Sequence, residues 1–326
     1  MSLRTQPASG TGGLTQYQAD GGDGGPPARR GAKEAEAMTA PAGRSPHRVR
    51  PRADCTADSA GGLTFDIAHG AASGPGAAAD AGRWDAALLL RRRPAAGERA
   101  AEEVRLPLVP AGPGALRAVL PSTMRLTEGV WDAHLSTGGG TCGRLLPGTD
   151  DLRSLVDRVP RADRTWLGVR IPYTTGRGHL ALRSWHRWPH AEAGDLRLAK
   201  GVLTLHGRLY GAALARGARL EARTPGGGEP VAAGPAREDG DGFAARLPLA
   251  GAARDAAGDA QWEVWLRPGA AAAPVRVARI LDDVKDKRRS LRYPAVPLAG
   301  GARLVRACYT SANELAVRLE AGPPRG

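Results

Sequence analysis

The densest group of side chains able to do chemistry is Trp185-His186-Arg187-Trp188-Pro189-His190, with two indoles, two imidazoles and a guanidinium in six residues. Indole packs on the apolar face of a sugar ring, while Arg and His donors bond its hydroxyls or a phosphate. Trp185, His186, Arg187, Trp188 and His190 are therefore the expected ligand-binding residues. The same stretch also reads as a linker that wedges between two domains and shields their ends, and the residue types alone leave both readings open. No metal is expected there. Pro189 breaks any helix that would bring His186 and His190 to one face, and Glu192 is the one carboxylate close by.

Other constellations fall short of a reaction. Gly138-Gly139-Gly140-Thr141-Cys142-Gly143 has the glycine content of a phosphate-cradling loop, but no Lys-Ser/Thr pair or helix follows, so it reads as a hairpin turn, as does Pro225-Gly226-Gly227-Gly228. There is no Gly-x-Ser-x-Gly elbow. Cys142 and His134 lack a third group to complete a nucleophile and base. Asp282, Asp283 and Asp286 lack the parallel α/β sheet that would present a nucleotide sugar beside them. No catalytic residue and no cofactor is expected.

Charge narrows the partners less than it first suggests. The 326 residues hold 46 Lys and Arg against 33 Asp and Glu, a net charge of +13, and only four of the cations are lysines. The compact basic runs are Arg91-Arg92-Arg93 and Lys285 to Arg289, and the second is interleaved with acids, which is the pattern of a solvated face. With aromatics at 4 %, a single-strand nucleic-acid platform of stacked rings is excluded, and a nucleic-acid partner is not expected. No run approaches the roughly 18 apolar residues of a membrane span. Three widely spaced cysteines (Cys55, Cys142, Cys308) argue against a disulfide framework or a zinc ribbon. No apolar leader segment follows Met1, so the expected compartment is the cytoplasm, with the periphery of the membrane as a working place.

The elements that must position these residues are strands. Residues 1–58 carry Gly-Gly, Pro-Pro and Arg-Arg punctuation without an apolar period, and are expected to be disordered. Met38 offers a second start within them. Beyond Gly62, short apolar stretches recur between turn residues: Leu63–Ile67, Ala86–Leu90, Val104–Val109, Leu116–Leu120, Val130–Leu135, Trp166–Tyr173 and His179–Trp185. Several alternate with period two, the signature of half-buried strands. Single helical turns are expected only at Leu152–Val156 and Ala252–Ala257. The fold class is all-β.

The chain also matches itself. Val169-Arg-Ile-Pro-Tyr-Thr-Thr175 returns as Val305-Arg-Ala-Cys-Tyr-Thr-Ser311, and His179-Leu-Ala-Leu-Arg183 as Glu314-Leu-Ala-Val-Arg318. Trp131-Asp-Ala-His-Leu135 returns as Trp262-Glu-Val-Trp-Leu266, and Arg105-Leu-Pro-Leu108 as Arg246-Leu-Pro-Leu249. This order predicts two tandem β-sandwich (immunoglobulin-like) units, residues 59–190 and 198–322, related by an internal repeat. Trp131, Trp262, Tyr173 and Tyr309 are then core residues. The Trp185–His190 cluster has no copy in the second unit, where Leu319-Glu320-Ala321-Gly322 stands in its place.

The pattern Trp131-Asp132, Leu146-Pro147-Gly148, then Tyr173-Thr174 with Gly178, Leu180 and Arg183 resembles a β-rich accessory region of bacterial cell-wall glycopolymer transferases, of the CDP-glycerol glycerophosphotransferase and teichoic-acid glycosyltransferase types. The second unit matches it at Trp262, Tyr309, Thr310, Leu315 and Arg318. The resemblance covers most of residues 60–320 and implies a fold and a pathway neighbourhood rather than a catalytic residue, because the nucleotide-binding α/β domains of those enzymes have no counterpart in this sequence. The expected function is a non-catalytic protein that binds carbohydrate or glycopolymer, or that docks to a cell-wall polymer transferase. The alternative is a glycosyl or glycerophosphoryl transferase with an unfamiliar active site, and a third is an adaptor whose arginines meet anionic headgroups.

Overall fold

The computed structural model describes residues 50–68, 86–94, 97–98, 102–136, 142–156, 158–160, 164–298 and 302–322. With 57 % strand and 5 % helix it is all-β, as the period-two alternation predicts. All described residues belong to one compact unit spanning His47–Gly326.

The first region holds two sheets. One has the order β5-β6-β2-β1-β9, built from β1 (Arg52–Ala57), β2 (Leu63–Ala68), β5 (Val109–Gly112), β6 (Ala115–Leu120) and β9 (Leu146–Asp151). The other has the order β10-β11-β7-β3-β4, from β3 (Ala87–Arg92), β4 (Glu103–Pro107), β7 (Gly129–Ser136), β10 (Leu167–Thr174) and β11 (Leu180–Arg187), with β8 (Cys142–Arg144) paired to β7. Alternation decides which side chains go inside. Ala53, Cys55 and Ala57 of β1 are buried while the residues between them are exposed, and Trp131, Ala133 and Leu135 are the inward set of β7. Ala53, Phe65, Ile67 and Ala118 of one sheet share a single interior with Leu88, Leu90, Trp131, Val169, Ile171 and Leu182 of the other. Each large apolar side chain so buried contributes about 2 kcal/mol.

Two expectations change here. β1 occupies Arg52–Ala57, inside the stretch expected to be disordered, and pairs with β2 along its whole length. Alternating Ala53, Cys55 and Ala57 are small, so their apolar period is weak beside the polar residues between them. Residues 1–49, with Met38, lie outside the described residues. The second change concerns the other half of the chain.

That half comprises β12 (His190–Ala199), β13 (Val202–Tyr210), β14 (Arg219–Arg223), β15 (Pro230–Asp239), β16 (Gly242–Pro248), β17 (Ala260–Arg267), β18 (Val275–Ala278), β19 (Val296–Pro297), β20 (Arg303–Tyr309) and β21 (Leu315–Ala321). Seven of them run in the order β14-β15-β16-β13-β12-β18-β17, and β17 pairs back to β14, so the sheet closes into a barrel. β21, β20 and β19 continue outward from β17. Closure removes the free edges that an immunoglobulin-like pair of sheets would keep. The interior holds Leu203, Leu205, Leu220, Phe243, Leu247, Trp262, Val264 and Val317. Among the described residues α-helix is confined to α1 (Ala250–Asp255), overlapping the expected Ala252–Ala257, and α2 (Lys287–Ser290); the other expected turn is a 3-10 turn, Arg153–Leu155.

Two of the matched segments occupy like places. Trp131 stands opposite Leu182 on β11, and Trp262 opposite Val317 on β21. The β10–β11 and β20–β21 hairpins close through the same turn. Thr175 N–H donates to His179 O and Gly178 N–H to Thr175 O (2.8 and 2.9 Å), as Thr310 and Asn313 do with Glu314 O and Thr310 O (2.9 and 3.0 Å). The fourth residue has positive φ in both, Gly178 (+74°) and Asn313 (+57°). Superposing the turns sets Thr175 on Thr310, so Tyr309 matches Thr174, one residue away from the tyrosine pairing the sequence suggests. Tyr309 is buried, whereas Tyr173 is half-buried with the Lys285 ammonium 3.6 Å above its ring.

Candidate functional site

The structure disperses the five expected binding residues. Trp185 is fully buried and its indole N–H donates to Ala312 O (3.0 Å) in the β20–β21 turn, with the Arg183 guanidinium 5.1 Å over the ring. Arg187 pairs with Glu128 (2.8 Å) and Glu314 (3.0 Å), tying β11 to both regions. Burial alone would lower its pKa, but these two carboxylates raise it. His190 is fully buried, 2.7 Å from the Glu192 carboxylate and stacked on Tyr210. Glu192 in turn accepts the Ile280 and Leu281 backbone N–H groups, at 3.0 Å each. Trp185 and Arg187 thus bond across to the second region, and Tyr210, Ile280 and Leu281 of that region pack against the first region's interior. Alternation along a strand sends neighbours to opposite faces, so six adjacent residues cannot all converge on one ligand.

His186 and Trp188 are what remains. The His186 imidazole stacks on Trp166 (centroids 5.2 Å apart, 24° between planes). Trp188 is 37 % exposed and is the one aromatic among the exposed large apolar side chains of the described residues. Its ring lies against Gly211, where a Cβ would stand 2.4 Å from it.

Trp166 leads to a cleft that the sequence did not single out. A small open cleft lies between Ser59, Ala60, Ser122, Arg158, Arg164, Trp166 and Gly168. Three loops build it: the β1–β2 turn, the segment after β6, and the chain entering β10. Arg158 staples two of them, donating to Ala60 O (3.0 Å) and Gly168 O (3.1 Å). Arg170 braces the floor from inside the core, donating to Gly61 O (3.2 Å), Pro121 O (2.9 Å) and Met124 O. Arg164 reaches Ser122 O (3.4 Å) and Ser122 Oγ (3.3 Å). The Trp166 ring folds over Gly168, where a Cβ would meet it at 2.4 Å, and is ringed by the guanidiniums of Arg164 (5.7 Å) and Arg125 (5.8 Å).

The electrostatics of this cleft are one-sided. None of its described lining residues is acidic. Burial pushes the Arg170 pKa down to about 10, with the Arg158 charge adding to the shift, and Arg158 is lowered by burial and then by Arg164. Asp58, which accepts the Gly62 N–H (2.8 Å), opposes both shifts without forming an ion pair. The Arg158 Nε is buried without a partner. The signal available in the sequence was the spacing of Arg158, Arg164 and Arg170 around Trp166.

The remaining polar clusters serve structure. Arg91, Arg92 and Arg93 pair with Glu103, Glu98 and Asp132. Lys287 is buried against Asp282 (2.5 Å) and Val284 O (2.9 Å), while its backbone N–H donates to Asn313 Oδ1 (2.9 Å). Among the described residues no group of three or more His, Cys, Asp and Glu could hold a metal ion. Nor, among the described residues, is any helix long and apolar enough to cross a membrane.

No protein-family model matches the chain, and no curated protein matches it. Among solved structures, S. aureus TarS matches 61 % of this chain and 35 % of its own length at 12 % identity and a TM-score of 0.27. A structure of TarS residues 217–571 matches 61 % of this chain and 55 % of its own length at 13 % identity and a TM-score of 0.26. The chain is thus similar to about a third to a half of those structures, and at this identity and score the similarity assigns it to no family.

Proposed function

We propose that this chain is a non-catalytic binding protein for carbohydrate or glycopolymer, working in the cytoplasm at the periphery of the membrane. The observation that supports it is the division of labour at the junction. Trp185, Arg187 and His190 are spent on packing and ion pairs, while the Trp188 indole stays open to solvent against Gly211. An exposed, braced indole is a sugar platform, because its face covers the apolar side of a pyranose at little entropic cost. The resemblance to accessory regions of cell-wall glycopolymer transferases points the same way, towards a polymer or the enzyme that extends it. We further read the two halves as copies of one ancestral unit, on the shared hairpin turns and the matched places of Trp131 and Trp262.

Retention of the purified chain on immobilised wall-type glycopolymers, and its loss in Trp188→Ala, is the expected result. Absence of retention over a panel of such polymers refutes the reading. Turnover of a nucleotide-activated sugar or glycerol donor would replace it with the transferase alternative.

A further inference from the structure

We propose that the cleft between the β1–β2 turn, Ser122 and the entry to β10 is a binding site for a phosphoryl group, with Arg158 and Arg164 as its cationic walls and Trp166 as its apolar side. The proposal does not depend on the glycopolymer reading, since it uses none of the residues of the Trp188 surface.

Three observations carry it. The first is charge. Arg158 and Arg164 both act on the buried Arg170, and Arg164 acts on Arg158; Asp58 opposes these charges, but no carboxylate among the described residues forms an ion pair with any of the three. Like charges gathered in a partly dry place repel, so a group that brings negative charge relieves a strain already present. The second is donor supply. Arg158 spends one N–H each on Ala60 O and Gly168 O and keeps a buried Nε with no partner, and Arg164 holds only two long bonds to Ser122. A guanidinium offers five N–H donors in a fork that fits phosphate oxygens two at a time. The third is rigidity. Arg170 is locked by three carbonyls from two loops, and Gly61 holds a left-handed backbone (φ +91°) beside the Arg158 guanidinium. A site held from beneath in this way loses little entropy on binding.

A phosphoryl group suits the cleft better than a carboxylate. Several guanidiniums converge there, and a tetrahedral oxyanion presents oxygens in more than one direction, whereas a carboxylate is satisfied by one planar fork. The exposed Arg125, 5.8 Å from the Trp166 ring, extends the cationic rim towards whatever the phosphoryl group is attached to.

The test is a titration with inorganic phosphate and with glycerol 3-phosphate, followed by phosphorus NMR line broadening and by calorimetry. Arg158→Gln would unstaple two loops and risks unfolding, so the informative variants are Arg164→Gln and Arg125→Gln. Arg197→Gln, an exposed arginine on β12, is the control. Expected are saturable binding by the wild-type chain, about tenfold or greater weakening in Arg164→Gln, a smaller loss in Arg125→Gln, and no change in the control. Phosphatidylglycerol vesicles against phosphatidylcholine vesicles distinguish the source: Arg164-dependent sedimentation with the former alone points to a lipid headgroup, and its absence beside saturable phosphate binding points to a soluble phosphoester. Non-saturating binding, or equal loss in Arg197→Gln and Arg164→Gln, overturns the proposal. A chain that binds phosphate but no glycopolymer refutes the polymer reading alone.

Discussion

The two regions bury charge in opposite ways. In the barrel, the Glu221 carboxylate is fully buried between Arg219 (2.7 Å), Arg223 (2.7 Å) and Arg267 (2.7 Å), three cations around one anion. In the first region, Arg170 is buried almost as completely and bonds only to carbonyl oxygens, with Arg158 and Arg164 as like-charged neighbours and Asp58 opposing them without an ion pair. A buried charge that is neutralised on the spot is a structural device. One left with like charges around it, beside an open cleft, is poised for a ligand of the opposite sign. The difference separates a cross-link within a barrel from a candidate site, although both are arginine clusters in one basic chain.

The largest effect expected from breaking this contrast lies at Glu221. Glu221→Leu leaves three guanidiniums facing one another in the barrel wall and is expected to cost about 3–5 kcal/mol, measured by urea denaturation. The pH dependence of stability should show the same pair. Burial alone would raise the Glu221 pKa, but the bonds from Arg267, Arg223 and Arg219 outweigh it and hold it below its ordinary value of 4.5. Stability from this carboxylate is therefore complete above pH 4.5 and is lost as pH falls through the lower folded value. Glu221→Gln, which does not titrate, should flatten that acid limb; an unchanged limb would mean that other carboxylates dominate it.

At Arg170 a smaller loss is expected. Arg170→Met fills most of the volume and removes a costly buried cation, but strips donors from Gly61 O, Pro121 O and Met124 O. The two effects partly cancel, for a net cost of about 2 kcal/mol, and phosphate affinity should fall with it as the floor of the cleft loosens. Equal losses at Arg170 and Glu221 would show that the contrast between the regions has no energetic content.

How far the sequence alone could reach follows from the same physics. Strands such as β7 and β17 were legible because burial alternates along them residue by residue, Trp131-Ala133-Leu135 inward in one and Trp262-Val264-Leu266 in the other. Barrel closure was not. It depends on β14 meeting β17, Leu220 opposite Leu266, and an alternating strand carries no mark of which partner takes its second edge. The junction was half legible: residue types drew attention to Trp185–His190, but whether Arg187 meets a ligand or Glu128 and Glu314 is decided by residues 59 and 127 positions away. The cleft was hidden for a related reason, since Ser59, Ser122, Arg158 and Trp166 meet only when three loops are brought together.

A still smaller effect is expected at Gly61. Its φ of +91° favours glycine, and an added Cβ would press on Arg158, the far end of a flexible side chain. Gly61→Ala should cost about 1–2 kcal/mol from the left-handed backbone alone, and should weaken phosphate binding by shifting Arg158.

The smallest change belongs to the arginine that the sequence match sets against Arg170. Arg306 of β20 corresponds to Arg170 in the repeated Val-Arg pattern, yet it lies at the surface, its side chain 43 % exposed and paired with Glu320 (2.8 Å). Water already solvates both partners, so the pair adds little, and Arg306→Met should move stability by less than about 0.5 kcal/mol in a denaturant titration. Set beside Arg170→Met, it asks whether matching sequence positions share a role. A large loss at Arg306 would mean that the two hairpins use this arginine alike. A negligible one would mean that the matching sequence positions do not share a role, as the one-residue offset between the two hairpin turns predicts.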